Sequence, residues 1–136
     1  SIRKRLEKSN IKKVFRNENT KKIYLTFDEG YENGYTSKIL DSLKEKKVPA
    51  VFFVTYDYAK RNPGLVQRMI NEGHVVGNHS YTHPSMPTLS LSKASGEITK
   101  MHEYVKDNFN YTMTLFRPPM GTARLHGGSV RYLLGW

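Results

Sequence analysis

Segments with the pattern of a β-strand alternate with segments with the pattern of an α-helix along residues 23–119. The run IYLTFDEG (residues 23–30) alternates apolar and polar side chains and is rich in β-branched and aromatic residues, as strands are. The run AVFFVTY (residues 50–56) is continuously apolar, which is typical of a strand covered on both faces. Two more short strands are predicted by HVVGNH (residues 74–79) and TLFRPP (residues 114–119).

Three helices are predicted between these strands. The runs YTSKILDSLKEKK (residues 35–47) and LSKASGEITKMHEYVKDNF (residues 91–109) place apolar residues at helical spacing. In NPGLVQRMINEG (residues 62–73), Asn62 is placed to be the N-cap and Pro63 occupies the first helical position. Because strands and helices alternate, the chain is predicted to have an α/β fold, with a parallel sheet and helices outside it.

Side chains suited to catalysis follow three of the predicted strands directly. They are Asp28 and Glu29 after the first strand, His79 and His83 after the third, and Arg117 after the fourth. The carboxyl ends of parallel strands lie at one edge of a sheet, where α/β proteins build their sites. We therefore expect these five side chains to lie close together.

This set of side chains suits metal-assisted hydrolysis. Two neutral imidazoles and one carboxylate can hold a divalent metal and leave one position open for water. The metal lowers the pKa of that water, and a nearby carboxylate can take its proton. Asp28 and Glu29 are adjacent, so their side chains diverge and can divide these two tasks. Arg117, if it reaches Asp28, would hold that carboxylate ionised and oriented.

Each motif taken alone also has an interpretation without a site. Two histidines four residues apart are common, and an acidic pair after a strand often belongs to a turn and a helix cap. An arginine before two prolines can simply face solvent where a strand stops. All three motifs at successive strand ends would require three independent coincidences, so the joint pattern favours a site.

Three short motifs resemble, in order, the first three motifs of the polysaccharide deacetylases of carbohydrate esterase family 4. They are TFDEG (residues 26–30), HSYTH (residues 79–83) and RPPMG (residues 117–121). Three further stretches are similar to the delta-lactam-biosynthetic peptidoglycan de-N-acetylases of spore-forming bacteria, namely YENGYT (residues 31–36), FFVT (residues 52–55) and EGHVVGNHS (residues 72–80). The resemblance extends over residues 22–121 and implies the N-terminal part of that family's distorted (β/α) barrel.

The resemblance implies a role for each candidate residue. Asp28 corresponds to the family's catalytic base, and Arg117 to the arginine that orients the base. His79 and His83 correspond to its two metal-binding histidines. Glu29 takes the position of the third metal ligand, which is usually aspartate, so the longer side chain must place its carboxylate differently. This donor set favours zinc, although other first-row divalent ions also fit.

The resemblance further implies the reaction and its substrate. The expected reaction is metal-dependent removal of N-acetyl groups from a polysaccharide, namely from the muramic acid residues of peptidoglycan, as in delta-lactam formation in the spore cortex. The alternative is a metal- and glycan-binding module with impaired catalysis. A nucleic-acid binder is a weaker third hypothesis, because no interleaving of aromatic and basic residues accompanies the positive charge.

The sequence after Gly121 departs from the family. It reads TARLHGGSVRYLLGW (residues 122–136) and has neither the tryptophan-bearing motif nor the leucine–x–histidine motif that supplies the family's proton donor. We do not expect His126 to replace that donor, since it follows closely on Arg117 and sits beside glycines. We expect instead a truncated barrel, whose open sheet edge could pair with another copy of the chain.

Most of the positive charge lies at the N-terminus. Residues 1–22 hold nine Lys or Arg and two Glu, a net charge of +7 out of +10 for the 136 residues. We therefore divide the chain into a basic arm (residues 1–21) and a deacetylase-like domain (residues 22–136). The arm suits an anionic wall polymer or a membrane surface, or it is a solvated leader without a specific partner. The chain contains no cysteine, signal peptide or apolar run of membrane-spanning length, so the expected extracellular or cell-envelope location rests on the resemblance alone.

Overall fold

The computed structural model of the chain describes residues 25–121 and three short backbone segments, at 124–125, 128–129 and 132–133. The predicted basic arm and His126 lie outside the described residues. The domain boundary after residue 21 therefore stays a prediction.

Five strands form one sheet in the described part of the chain, in the order β1-β2-β3-β4-β7. They are β1 (Leu25–Glu29), β2 (Ala50–Val54), β3 (Val75–Asn78), β4 (Leu115–Phe116) and β7 (Tyr132–Leu133). Strands β1 to β4 run parallel, and β7 is antiparallel to β4. A separate antiparallel pair consists of β5 (Arg124–Leu125) and β6 (Gly128–Ser129). The four predicted strands are thus confirmed as neighbours in one parallel arrangement.

Four helices lie between the parallel strands. They are α1 (Thr36–Lys46), α2 (Tyr56–Arg61), α3 (Pro63–Asn71) and α4 (Leu91–Phe109), with single 3-10 turns at Met86–Thr88 and Pro119–Gly121. The three predicted helices are confirmed as α1, α3 and α4. Asn62 does occupy the N-cap position of α3, but its side chain makes no capping hydrogen bond there.

Helix α2 is absent from the sequence prediction. The apolar run of β2 continues into Tyr56, so the pattern does not mark where the strand ends. That end is set by Thr55, whose hydroxyl accepts a hydrogen bond from the Tyr58 N–H at 3.3 Å and so caps the helix. Helix α2 therefore begins directly at the carboxyl end of β2, beside the predicted site.

The two faces of the sheet differ in what covers them. On the helix-covered face, Phe52 and Val54 pack with buried residues from all four helices. On the opposite face, Val51, Phe53 and Leu115 form a smaller buried cluster. Because side chains alternate along a strand, β2 supplies both clusters. All five residues of β2 are buried, which confirms the prediction of a strand covered on both faces.

The arrangement confirms the predicted α/β class, with a parallel sheet and helices outside it. Strand β1 is an outer strand of the described sheet, and the pairing of an open edge with another copy stays a prediction. None of the helices within residues 25–121 combines the length and apolar character that a membrane span needs.

Candidate active site

The ends of β1 and β4 are joined by an ion pair between Asp28 and Arg117. The Arg117 guanidinium donates from Nη1 to Asp28 Oδ1 at 2.5 Å and from Nη2 to the Thr26 hydroxyl at 2.9 Å. The Arg117 side chain is 11% exposed, whereas that of Asp28 is 46% exposed. The arginine is therefore fixed from two sides, while the carboxylate that it orients stays open to a reactant.

The Phe53 ring supports Arg117 along its path across the sheet. The guanidinium carbon lies 4.3 Å from the centroid of this ring, in a cation–π contact. Phe53 in turn packs against Gly77 of β3, where a Cβ atom would lie only 2.5 Å from a ring carbon. Gly77 thus makes room for the ring on which Arg117 rests. Neither residue was predicted from the sequence, although an isolated glycine inside a strand pattern is a signal of such close approach.

His79 is held by the backbone of Arg117. Its Nδ1 lies 2.9 Å from the Arg117 carbonyl oxygen, and the ring is nearly buried, with 4% of its surface exposed. Because a carbonyl can only accept, Nδ1 carries the proton in this contact and Nε2 keeps its lone pair. Burial lowers the pKa of His79, partly opposed by this hydrogen bond and by the Asp28 carboxylate. A neutral ring with an oriented Nε2 lone pair is the form that binds metals.

The segment Ser80–His83, here called the histidine loop, brings a second imidazole beside the first. The ring centroids of His79 and His83 lie 4.9 Å apart. Ser80 and His83 both adopt left-handed backbone conformations, with φ of 75° and 59°, which residues other than glycine seldom do. The Ser80 N–H donates to Asn78 Oδ1 at 2.9 Å, and the His83 N–H donates to the Ser80 hydroxyl at 3.0 Å. These two bonds shape the turn that pairs the histidines.

Glu29 has a different environment from its neighbour Asp28. It is only 7% exposed. Burial and the nearby Glu32 carboxylate raise the pKa of Glu29 to about 7, and a hydrogen bond with Thr36 partly offsets them. The Tyr58 hydroxyl also lies near these side chains and donates a hydrogen bond to Glu32 Oε2 at 2.9 Å. Glu29 thus lies among residues of the loop after β1, of α1 and of α2. Its side chain diverges from that of Asp28, as the alternation of side chains along a strand requires.

The structure therefore brings together four of the five predicted residues. Arg117 contacts Asp28 through its side chain and His79 through its backbone, and His79 lies beside His83. Glu29, predicted as the third metal ligand, is not placed with the histidines. Within residues 25–121, no three His, Cys, Asp or Glu side chains come close enough to hold a metal ion. The two histidines supply imidazole nitrogens, a donor type that suits a divalent ion.

A cleft of about 270 Å³ opens where the ends of β1 and β2 meet the histidine loop. It is lined by Gly30, Thr55, Asp57, Tyr81, Thr82 and His83. Its Tyr81 wall is supported by the Tyr56 ring, whose centroid lies 4.1 Å away. A substrate group that enters this cleft would contact His83.

Comparison with known proteins gives consistent relationships. The family described as polysaccharide deacetylase matches residues 15–129. The peptidoglycan-N-acetylmuramic acid deacetylase PdaA of Bacillus subtilis is 45% identical over 106 residues, which are 77% of this chain and 40% of that protein. The peptidoglycan-N-acetylglucosamine deacetylase PgdA of Listeria monocytogenes is 40% identical over 123 residues, 89% of this chain and 26% of that protein. The chain thus spans less than half the length of these relatives.

Solved structures show the same relationship in three dimensions. A family 4 carbohydrate esterase from Bacillus anthracis is 52% identical, with a TM-score of 0.69, over 71% of this chain and 47% of that one. The peptidoglycan deacetylase PdaC of Bacillus subtilis is 38% identical, with a TM-score of 0.72, over 82% of this chain and 55% of that one. The predicted fold type is confirmed over the matched part of the chain.

Proposed function

The chain belongs to the polysaccharide deacetylase family, and we propose that its site serves a metal-dependent hydrolase that removes N-acetyl groups from peptidoglycan. The observation that carries this proposal is the double role of Arg117. Its guanidinium binds Asp28, and its carbonyl oxygen binds the Nδ1 side of His79. One residue thereby orients both a general base and a metal-binding imidazole, which is the arrangement that hydrolysis of an amide needs.

In this proposal, His79 and His83 hold a divalent metal, which when bound polarises the acetyl carbonyl and lowers the pKa of a water molecule. The chemistry of the donors favours zinc. His79 fits this task because its Nδ1 is engaged by a carbonyl and its Nε2 is left for the metal. No metal-ligand role for Glu29 enters the proposal, since its carboxylate lies beside Glu32 and Thr36.

Asp28 is the general base of the proposed reaction. Arg117 binds Asp28 Oδ1, so Oδ2 is the oxygen that receives the proton of the attacking water. The guanidinium compensates the carboxylate charge and fixes the direction of the acceptor. Because Asp28 is about half exposed while Arg117 is nearly buried, the base can reach the substrate without losing its support.

The muramic acid residues of peptidoglycan are the proposed substrate. The support is the 45% identity to the B. subtilis enzyme named for N-acetylmuramic acid, together with the resemblance to the delta-lactam branch. The L. monocytogenes relative, named for N-acetylglucosamine, is 40% identical. We further propose that the protein acts at the cell envelope, where that substrate lies. The basic arm is predicted to bind an anionic wall polymer or a membrane surface.

Acetate release from N-acetylated peptidoglycan tests this function. Asp28→Asn should lower the rate at least about 100-fold, since general bases contribute 10²–10⁴-fold. Asp107→Asn, on the exposed surface of α4, is the matched control and should leave the rate unchanged. Metal and glycan binding without acetate release would favour the binding module instead. Release that is unaffected by Asp28→Asn would contradict the proposal.

A further inference from the structure

A single carboxylate from helix α4 holds the middle of the histidine loop. Glu97 Oε2 accepts hydrogen bonds from the backbone N–H groups of Tyr81 and Thr82, at 3.0 and 2.8 Å. Glu97 Oε1 accepts a third from the Thr82 hydroxyl at 2.7 Å. All three contacts fall on the two residues in the middle of the loop, between His79 and His83. Hydrogen bonds to a charged acceptor are roughly twice as strong as those between neutral groups.

The histidine loop has a conformation that needs such support. Ser80 and His83 both have positive φ values, 75° and 59°, and each left-handed residue of this kind costs about 1–3 kcal/mol. The hydrogen bonds accepted by the side chains of Asn78 and Ser80 fix the two ends of the turn. The Tyr81 and Thr82 N–H groups between them point to Glu97. Without this acceptor the middle of the loop has fewer constraints. The spacing of the two imidazoles depends on the conformation of the loop, so it depends on Glu97 as well.

Glu97 itself stands on a rigid base. Helix α4 is anchored in the core through Met101 and Val105, which are completely buried. The residue after Glu97 is also tied to the sheet, since the Asn78 side chain donates to the Ile98 carbonyl at 2.9 Å. The carboxylate is therefore fixed relative to β3, the strand that delivers His79. A rigid acceptor positions a loop, whereas a mobile one would follow it.

We propose that Glu97 is the positioning residue for the metal-binding histidines. It holds the histidine loop so that the imidazoles of His79 and His83 face one ion before the ion arrives. The inference rests on the metal centre of the proposed function. Glu97 does not line the cleft and bonds the loop instead, so in this proposal it acts through the loop. Groups that orient metal ligands in this way typically change metal affinity 10–100-fold when they are removed.

Metal affinity is the first measurement. The dissociation constants of Zn²⁺ and Co²⁺ are determined by chelator competition for the protein and three variants. The denaturation midpoint of each metal-free form is measured as well, to show that each variant is folded. Glu97→Ala should weaken binding about tenfold or more. Glu97→Gln should retain most of the affinity, because its amide oxygen can accept both N–H groups and its NH₂ can donate to the Thr82 hydroxyl. Glu103→Ala removes an exposed carboxylate of the same helix and should change nothing.

Amide hydrogen exchange of the metal-free protein is the second measurement. Glu97→Ala should speed exchange at Tyr81 and Thr82 about tenfold or more, with exchange in β2 unchanged, because only the loop loses its acceptor. Wild-type metal affinity in Glu97→Ala would overturn the inference. If the unmodified protein binds neither Zn²⁺ nor Co²⁺, that result contradicts the proposed metal centre and not the contact between Glu97 and the histidine loop. The contact is then tested by hydrogen exchange alone. Unchanged exchange at Tyr81 and Thr82 in Glu97→Ala would overturn it.

Discussion

The two faces of the sheet use the same strands for different purposes. The helix-covered face packs side chains of β2 and β3 against all four helices and forms the larger core. The opposite face has a small apolar cluster around Phe53, and beside it lie Asp28, Arg117 and His79. Stability is therefore concentrated on one face and the proposed chemistry on the other. A substitution can therefore affect stability with little effect on the proposed chemistry, or the reverse. Which of the two it affects depends on the face to which the replaced side chain points.

Two neighbouring residues of β2 show this division. Phe52 and Phe53 are both completely buried. Phe52 stacks on Phe27, with ring centroids 5.0 Å apart, and joins the larger core. The Phe53 ring makes the cation–π contact with the Arg117 guanidinium. The same residue type thus supports the fold at one position and the proposed base at the next.

The largest effect is expected from Phe52→Ala. Removing a buried phenylalanine side chain from the helix-covered face should lower the free energy of unfolding by about 3–5 kcal/mol. The rate of acetate release per folded molecule should stay near that of the unmodified protein, because Phe52 packs on the helix-covered face, whereas Asp28, Arg117 and His79 lie beside the opposite one. Chemical denaturation and the initial rate of acetate release are the measurements. A large loss of rate in the folded fraction would mean that the two faces are not independent.

A moderate effect is expected from Gly77→Ala on the opposite face. The added methyl group would lie 2.5 Å from a carbon of the Phe53 ring, so the ring must move. Overpacking of this kind costs about 1–3 kcal/mol. Arg117 rests on the ring, so acetate release should also fall, by about tenfold or more, as Asp28 loses its orientation.

The control for this substitution is Gly96→Ala in helix α4, where a Cβ meets nothing within 4 Å. It should stabilise the protein by about 0.5–1 kcal/mol through helix propensity, without a change in rate. Both free energies come from urea denaturation. Equal stabilities of the two variants would show that the contact between Gly77 and Phe53 is not tight in solution.

The smallest effect is expected from pH, through His74 at the edge of the helix-covered face. The His74 Nδ1 accepts a hydrogen bond from the Ala50 N–H at 3.1 Å, which requires that nitrogen to be unprotonated. Burial lowers the pKa of His74 below its ordinary value of 6.5, with Glu72 opposing the shift and Arg68 adding to it. Below pH 6.5 the unfolded chain therefore binds more protons than the folded one. Stability should fall as the pH decreases from 6.5.

The measurement is the unfolding free energy at about pH 7.5 and pH 5.5 for the protein and for His74→Leu, which has no titrating ring. The variant loses the acceptor for Ala50 and should be less stable at the higher pH. The decrease in the unfolding free energy between about pH 7.5 and pH 5.5 should be smaller for His74→Leu than for the unmodified protein. An equal loss in both proteins would show that His74 does not contribute to the pH dependence.

The sequence predicted local features well because they depend on nearby residues. Alternation of side chains identified β1, apolar spacing identified α4, and both ends of α4 agree with the predicted range. The motifs also identified Asp28 and Arg117, whose contact the structure confirms across 89 residues of sequence. Alternation predicted that Glu29 would diverge from Asp28. Its neighbours could not be predicted, because they come from segments whose docking is set by the tertiary fold.

The supporting residues were harder to predict for the same reason. Glu97 contacts Thr82 from 15 residues away only because α4 crosses beside the histidine loop. No periodicity or motif encodes that crossing. Phe53 reads as one more apolar residue of a buried strand, and its contact with Arg117 exists only once β2 and β4 share a sheet. Residues that act through others are therefore the ones that the sequence conceals.

The position of Arg117 also sets when the site can form during folding. Strand β4 is two residues long, and the bond from the Arg117 N–H to the Asn78 carbonyl at 3.0 Å extends its contact with β3. Until that strand docks, Asp28 has no guanidinium and His79 has no carbonyl to orient it. Contacts so distant in sequence form slowly, because a long loop must close first. An intermediate containing only β1, β2 and β3 would therefore lack an oriented base, so the appearance of activity during refolding should mark the docking of β4.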